Sequence, residues 1–225
     1  IALIEENSYP VHWAQAMCYA YMIAHDRGLS RMRIQLTYTQ VDTEETRHFV
    51  REAGYEELER FVHEVIQSYY PYARVKHGHE QRRNQSIKEL PFPFPQYREG
   101  QRKLVGAVYK TIQDGHKLFA KAPTGIGKTM STLFPSVKAM GEGVLQRFFY
   151  LTAKTITRTA AEEAFYLLQE KGLQLQVVTL TAKEKVCLKD EVRCTPAHCE
   201  FADGYYDRVN GAVLDLLEQE TVMTR

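Results

Sequence analysis

Residues 117–129, KLFAKAPTGIGKT, set an apolar stretch, a glycine-bearing turn and the opening of a helix in direct succession. This succession constrains the fold more than any other feature of the chain. An apolar strand that ends in a glycine turn and feeds a helix is one step of a β–α series, and such series build a parallel sheet covered by helices. The loop, Ala122-Pro123-Thr124-Gly125-Ile126-Gly127-Lys128-Thr129, matches the phosphate-binding pattern G-x-x-x-x-G-K-S/T except that Ala122 holds the first glycine position. Gly125 and Gly127 let the backbone turn its N–H groups inward around phosphate oxygens. The following helix adds its positive end. Lys128 is placed for the β- and γ-phosphates of a nucleotide, and the Thr129 hydroxyl for Mg²⁺.

The flanking chain alternates in the same sense. A helix is expected over roughly 97–113, a strand over 117–122, and a helix over 128–140 that Pro135 interrupts. RFFYLTA (147–153) reads as a strand, 157–171 as a helix with Ala160, Ala164, Phe165, Leu167 and Leu168 on one face, and LQVVTL (175–180) as a buried strand. Ahead of this, 11–25 reads as a helix stopped near Gly28, 31–41 as a strand, and 43–52 as a turn with a short return strand. Residues 56–70 form an amphipathic pattern through Leu58, Phe61, Val62, Val65, Ile66 and Tyr69, which Pro71 is expected to end. The polar, basic run 74–90 lacks apolar periodicity and reads as a linker, and PFPFP (91–95) as a stiff extended entry.

Composition narrows the class. The 225 residues are 44% hydrophobic and 25% charged, as in an ordinary globular protein. No run approaches the roughly 18 apolar residues of a membrane helix, and no leader pattern opens the chain, so a cytoplasmic protein without a membrane partner is expected. A net charge of +1 does not by itself indicate a nucleic-acid partner. The chain opens on Ile1 and closes on LEQETVMTR, and both ends are expected to be cuts through something longer.

Several residues near the loop carry candidate roles. Gln101 offers a donor and an acceptor that suit an adenine edge, and with Tyr97 and Arg98 it is expected to recognise the base. Thr152, Lys154, Thr155 and Thr157 follow an expected strand, where open α/β sheets bind ligands, and hydroxyls with a lysine suit a nucleic-acid backbone. Capping of the next helix by threonine is the alternative. A pair of adjacent acids after a buried strand is absent, and Asp215 in GAVLDLLEQE has helical spacing to Glu218. Cys187, Cys194 and Cys199 fall within thirteen residues, a spacing that favours a metal over disulfides. Zinc with His198, an iron–sulfur cluster with a fourth cysteine elsewhere, and unligated thiols all fit those residues.

Taken in order, Tyr97-Arg98-x-x-Gln101, APTGIGKT, YLTAKT and LTAKEKVC…C…C…YYDR resemble the iron–sulfur superfamily 2 DNA helicases of the XPD/DinG type, over residues 91–225. The resemblance implies a P-loop RecA-like parallel sheet, of which 91–186 is the first part of motor domain 1. It implies ATP and Mg²⁺ at the loop, with Lys128 and Thr129 catalytic. It further implies an iron–sulfur domain starting at 187–225, with Cys187, Cys194 and Cys199 as ligands of a 4Fe–4S cluster. The fourth cysteine and a D-E-A-H strand are then expected beyond Arg225. DNA is the implied partner, at Thr152, Lys154 and Thr155, and 5′ to 3′ unwinding the implied activity.

Gln15-x-x-x-Tyr19, at i, i+4 on one helix face, resembles the helix motif of RecB-like PD-(D/E)xK nucleases. It implies that 1–75 is a small α+β piece of a restriction-endonuclease-like domain, joined through a linker at 76–90. Gln15 and Tyr19 are carried over as supporting residues. Two readings from other classes are a DNA-binding or scaffold module with a vestigial P-loop, and a zinc-stabilised P-loop nucleotidase.

Overall fold

The computed structural model describes residues 3–219 and 222–223, with the side chains of Thr155 and Val222 outside that set. The chain is mixed α/β and divides into two compact units, Ile1–Ala73 and Arg74–Arg225.

In the first unit α1 (Pro10–Arg27) is followed by β1 (Arg31–Thr39) and β2 (Thr46–Gly54). Pro10 occupies the first turn of α1, where a missing N–H costs nothing, and Gly28 closes the helix in the left-handed conformation. The two strands pair antiparallel, with Leu36 opposite Phe49 and Met32 opposite Ala53. Their period-2 alternation sends Met32, Ile34 and Leu36 to one face, where they meet Trp13, Ala16, Met17 and Ala20 of α1. Trp13 is 2% exposed and its indole Nε1 donates to the Glu6 carbonyl at 2.7 Å, so its polar edge is satisfied within the core.

α2 runs from Tyr55 to Glu89 with Pro71 inside it. This differs from the sequence expectation twice over: Pro71 does not end the helix, and 76–89 is helical rather than an irregular linker. Proline removes one backbone donor and crowds the preceding turn, yet the residues after it are strong helix formers such as Glu80, Gln81, Arg82, Arg83, Gln85 and Lys88. The helix is also anchored at its end, where Ile87 and the following Leu90 are buried. Of the apolar face expected over 56–70, Leu58 is buried but Val65, Ile66 and Tyr69 are exposed.

In the second unit α3 (Gln101–Gln113), α4 (Lys128–Gly141) and α5 (Thr155–Glu170) supply most of the structure. Ile87 and Leu90 pack with Met130, Leu133, Phe134 and Val137 of α4 and with Ala161, Ala164, Phe165 and Leu168 of α5. Pro135 lies buried inside α4, which continues through it. Hydroxyls line the same helix, with Ser131 Oγ donating to the Gly127 carbonyl and Ser136 Oγ to the Thr132 carbonyl, each at 2.8 Å.

The strands expected at 117–122 and 147–153 carry no ladder among the described residues. β3 is only Val177–Val178, paired parallel with β4, Val222–Met223. A strand exists through hydrogen bonds to a neighbour, and apolar content alone does not supply one. The unpaired segments accordingly leave Phe119, Phe149, Leu151 and Leu180 exposed. The short α6 (Lys183–Val186) and α7 (Tyr205–Gln219) complete the order, and α7 places Asp215 and Glu218 on a helix, as their spacing indicates.

Candidate nucleotide site and its surroundings

The glycine loop turns sharply into α4. Gly125 and Gly127 have φ of +87° and +81°, conformations that residues with a Cβ rarely adopt, and Gly127 is the cap from which the helix starts. Lys128 is the first helical residue and is exposed. Its Nζ donates to the carbonyls of Pro123 at 3.0 Å and Ala122 at 3.3 Å, so the ammonium lies over the mouth of its own loop. Thr129 follows, half-buried. A helix start, left-handed glycines and a lysine are gathered at one point, an arrangement whose backbone donors and positive charge can take an anion.

Upstream, Phe92 fixes the entry segment. Its ring stacks on Tyr97 at 4.0 Å and meets Phe134 edge-on at 5.3 Å. α3 starts at Gln101 rather than near 97, since Gly100 stands at φ +71° immediately before it. Gln101, read from sequence as a base-recognising side chain, is 2% exposed. Its Oε1 accepts the Arg98 backbone N–H at 3.0 Å. Arg98 reaches the loop directly, with Nη1 donating to the Gly125 carbonyl. The sequence reading missed this buttress because nothing in local spacing links an arginine to a carbonyl 27 residues away.

Downstream, Lys154 is the extended cap residue of α5 and is exposed, while Thr152 is half-buried. Thr157 Oγ1 donates to the Lys154 carbonyl at 2.7 Å, so Thr157 is engaged in closing the helix start. Thr155 opens α5, and its side chain falls outside the described residues. Thr179 Oγ1 donates to Glu162 Oε1 at 2.8 Å, tying β3's edge to α5.

The cysteine segment is held by local contacts. Cys187, Cys194 and Cys199 are free thiols, with Cys199 buried and Cys194 exposed. A hydrogen bond with Cys194 and its charge hold Lys183 above the ordinary lysine pKa. A 2.8 Å contact between Lys189 and Glu200 raises the lysine and lowers the carboxylate. His198 Nδ1 lies 2.8 Å from Thr195 Oγ1. Soft thiol donors suit iron–sulfur clusters or zinc, but among the described residues no three His, Cys, Asp or Glu side chains are grouped to hold a metal ion. The three thiols are suitable donors, and among the described residues they are not gathered around one point.

In the first unit Gln15 and Tyr19 lie one turn apart on α1 and are both exposed, away from the buried Trp13–Ala20 face. The unit boundary also uncovers a charge division that the net value hides. Residues 1–73 hold six Lys and Arg against eleven Asp and Glu, and residues 74–225 hold 23 against 17. No helix among the described residues is long and apolar enough to cross a membrane.

No protein-family model matches the chain, and no solved structure matches it. Over 51 residues the chain is 41% identical to a protein of Methanocaldococcus jannaschii described as a probable ATP-dependent helicase. The match takes in 23% of this chain and 8% of that protein.

Proposed function

We propose that this chain carries the nucleotide-binding part of an ATP-dependent DNA helicase of the iron–sulfur XPD/DinG type. The observation that carries the reading is the loop itself, where two left-handed glycines lead into α4 with Lys128 at its first position. The short similarity to a probable ATP-dependent helicase supports the same class. In this reading the loop N–H groups and the start of α4 take the phosphate oxygens. Lys128, which here donates to the Ala122 and Pro123 carbonyls, would turn to the β- and γ-phosphates, and the Thr129 hydroxyl would hold Mg²⁺, which would supply neutralising charge. DNA is the partner, met by the more basic unit 74–225, with Thr152, Lys154 and Thr155 as backbone contacts. We further propose 5′ to 3′ translocation, a parallel RecA-like sheet around the loop, and a nuclease-like origin for the first unit. Cys187, Cys194 and Cys199 remain cluster ligands in this proposal on their donor chemistry alone.

The test is DNA-stimulated ATP hydrolysis by Lys128→Ala. Loss of a charge that stabilises the transferring phosphoryl group should lower the rate by about a hundredfold or more. An unchanged rate would favour the rival reading, a DNA-binding module whose loop is a structural element only.

A further inference from the structure

We infer that Ser131 and Thr132 are positioning residues of the phosphate site, because their hydroxyls bond the carbonyl ends of the same peptide groups whose N–H ends would meet the anion. The inference rests on the nucleotide site proposed above and deepens it. α4 starts at Lys128 from its cap, Gly127. Its hydrogen-bond ladder begins where the Ser131 N–H donates to the Gly127 carbonyl at 3.0 Å. The N–H groups of Lys128, Thr129 and Met130 precede that bond and have no acceptor within α4. They head the helix beside Gly125, Gly127 and the Lys128 side chain, where phosphate oxygens would be held.

The other end of each of these peptide groups carries a hydroxyl. The Lys128 N–H shares its peptide with the Gly127 carbonyl, the Thr129 N–H with the Lys128 carbonyl, and the Met130 N–H with the Thr129 carbonyl. Ser131 Oγ donates to the Gly127 carbonyl at 2.8 Å. Thr132 Oγ1 lies 3.1 Å from the Lys128 carbonyl and 2.9 Å from the Thr129 carbonyl and donates to both. In a trans peptide the carbonyl and the N–H point in opposite directions. A donor on the carbonyl therefore fixes the peptide plane and polarises the group, which strengthens the N–H at its far end. Ser131 is fully buried, so its proton is committed to this bond. Helix stability alone does not call for these hydroxyls, since serine and threonine that bond back to a helical carbonyl are poorer helix residues than alanine. Ser136 offers the comparison. Its Oγ makes the same kind of bond to the Thr132 carbonyl at 2.8 Å, but the N–H of that peptide belongs to Leu133, inside the ladder and away from the anion end.

The test titrates the full chain and its variants with MgATP and with inorganic tripolyphosphate in a calorimeter, at matched folded fraction. Ser131→Ala and Thr132→Val should each weaken both ligands by the same factor, about fivefold, the scale of one net hydrogen bond. Thr132→Ser keeps the hydroxyl and should bind both within about twofold of wild type. Ser136→Ala removes a bond of the same length away from the anion end and should leave both affinities unchanged. Thr132 is only half-buried, so Thr132→Val reads the effect if Ser131→Ala fails to fold. Wild-type affinity in Ser131→Ala and Thr132→Val would overturn the inference. An equal loss in Ser136→Ala would overturn it too, since the effect would then be one of helix stability. Lys128→Ala separates the inference from the site beneath it. If Lys128→Ala loses both ligands while the hydroxyl variants bind normally, the inference falls and the site stands. If Lys128→Ala holds tripolyphosphate as tightly as wild type, or wild type takes neither ligand, the two fall together.

Discussion

Lys138 Nζ donates to the Ile87 carbonyl at 2.7 Å, and to Lys88 at 3.5 Å, so a cation on α4 closes the C-terminal end of α2. The last carbonyls of a helix lack partners within it, and a cation there also meets the negative end of the dipole. Burial lowers the Lys138 pKa below the ordinary lysine value. Lys138→Met keeps most of the aliphatic packing and removes the donor. It should cost about 2 kcal/mol, read as a lower melting temperature in thermal unfolding.

Gly127→Ala tests the loop geometry sterically. The new methyl would stand 2.5 Å from Gln101 Nε2, on a backbone at φ +81°. Strain of roughly 1–3 kcal/mol is expected. Nucleotide affinity should fall with it, measured by titration against wild type at matched folded fraction.

Tyr55 gives a pH signature for the first unit. Its hydroxyl lies 3.1 Å from His25 Nδ1 and donates to Glu59 Oε1 at 3.2 Å. Partial burial first, then the hydrogen bond with Tyr21 and the Glu59 charge, push its pKa up from 10.0 to about 12. Between those values the folded chain keeps a proton that the unfolded chain releases. The stabilisation is therefore complete below the unfolded value and is lost as pH rises toward the folded one. Tyr55→Phe should flatten the fall of stability across that alkaline window, followed by urea unfolding on either side of it.

Lys154 tests the DNA reading. If its exposed ammonium contacts a phosphate of single-stranded DNA, Lys154→Ala should reduce the slope of log affinity against log salt by about 0.7. An unchanged slope, measured by fluorescence anisotropy, removes Lys154 from the interface.

The cysteines separate the metal readings. Anaerobic reconstitution with iron and sulfide should give a brown protein with acid-labile sulfide, and Cys187→Ser, Cys194→Ser or Cys199→Ser should each lose the colour. Colourless protein that carries zinc would favour the nucleotidase reading instead.

Helices were the most legible part of the chain, for a physical reason. α1, α4 and α5 depend on local periodicity and on caps such as Gly28 and Gly127, and local signals suffice to place them. The first hairpin was legible too, since its strands alternate apolar and polar residues over one short turn. α2 was half legible. Pro71 looked like an end, but an isolated proline is outweighed when good helix formers follow and Ile87 anchors the far turn.

The site divides in the same way. The residue types at 122–129 and their order determined by themselves that a loop with left-handed glycines leads into a helix headed by Lys128, because φ preference and spacing are properties of the local chain. The contacts of Arg98, Gln101 and Lys138 were decided only by tertiary structure. Gln101, read in the sequence as a base-recognising amide, is buried with its nitrogen against Gly127, and Arg98 meets a carbonyl 27 residues away. Contacts between residues distant in sequence are set by how helices pack, which no single segment encodes.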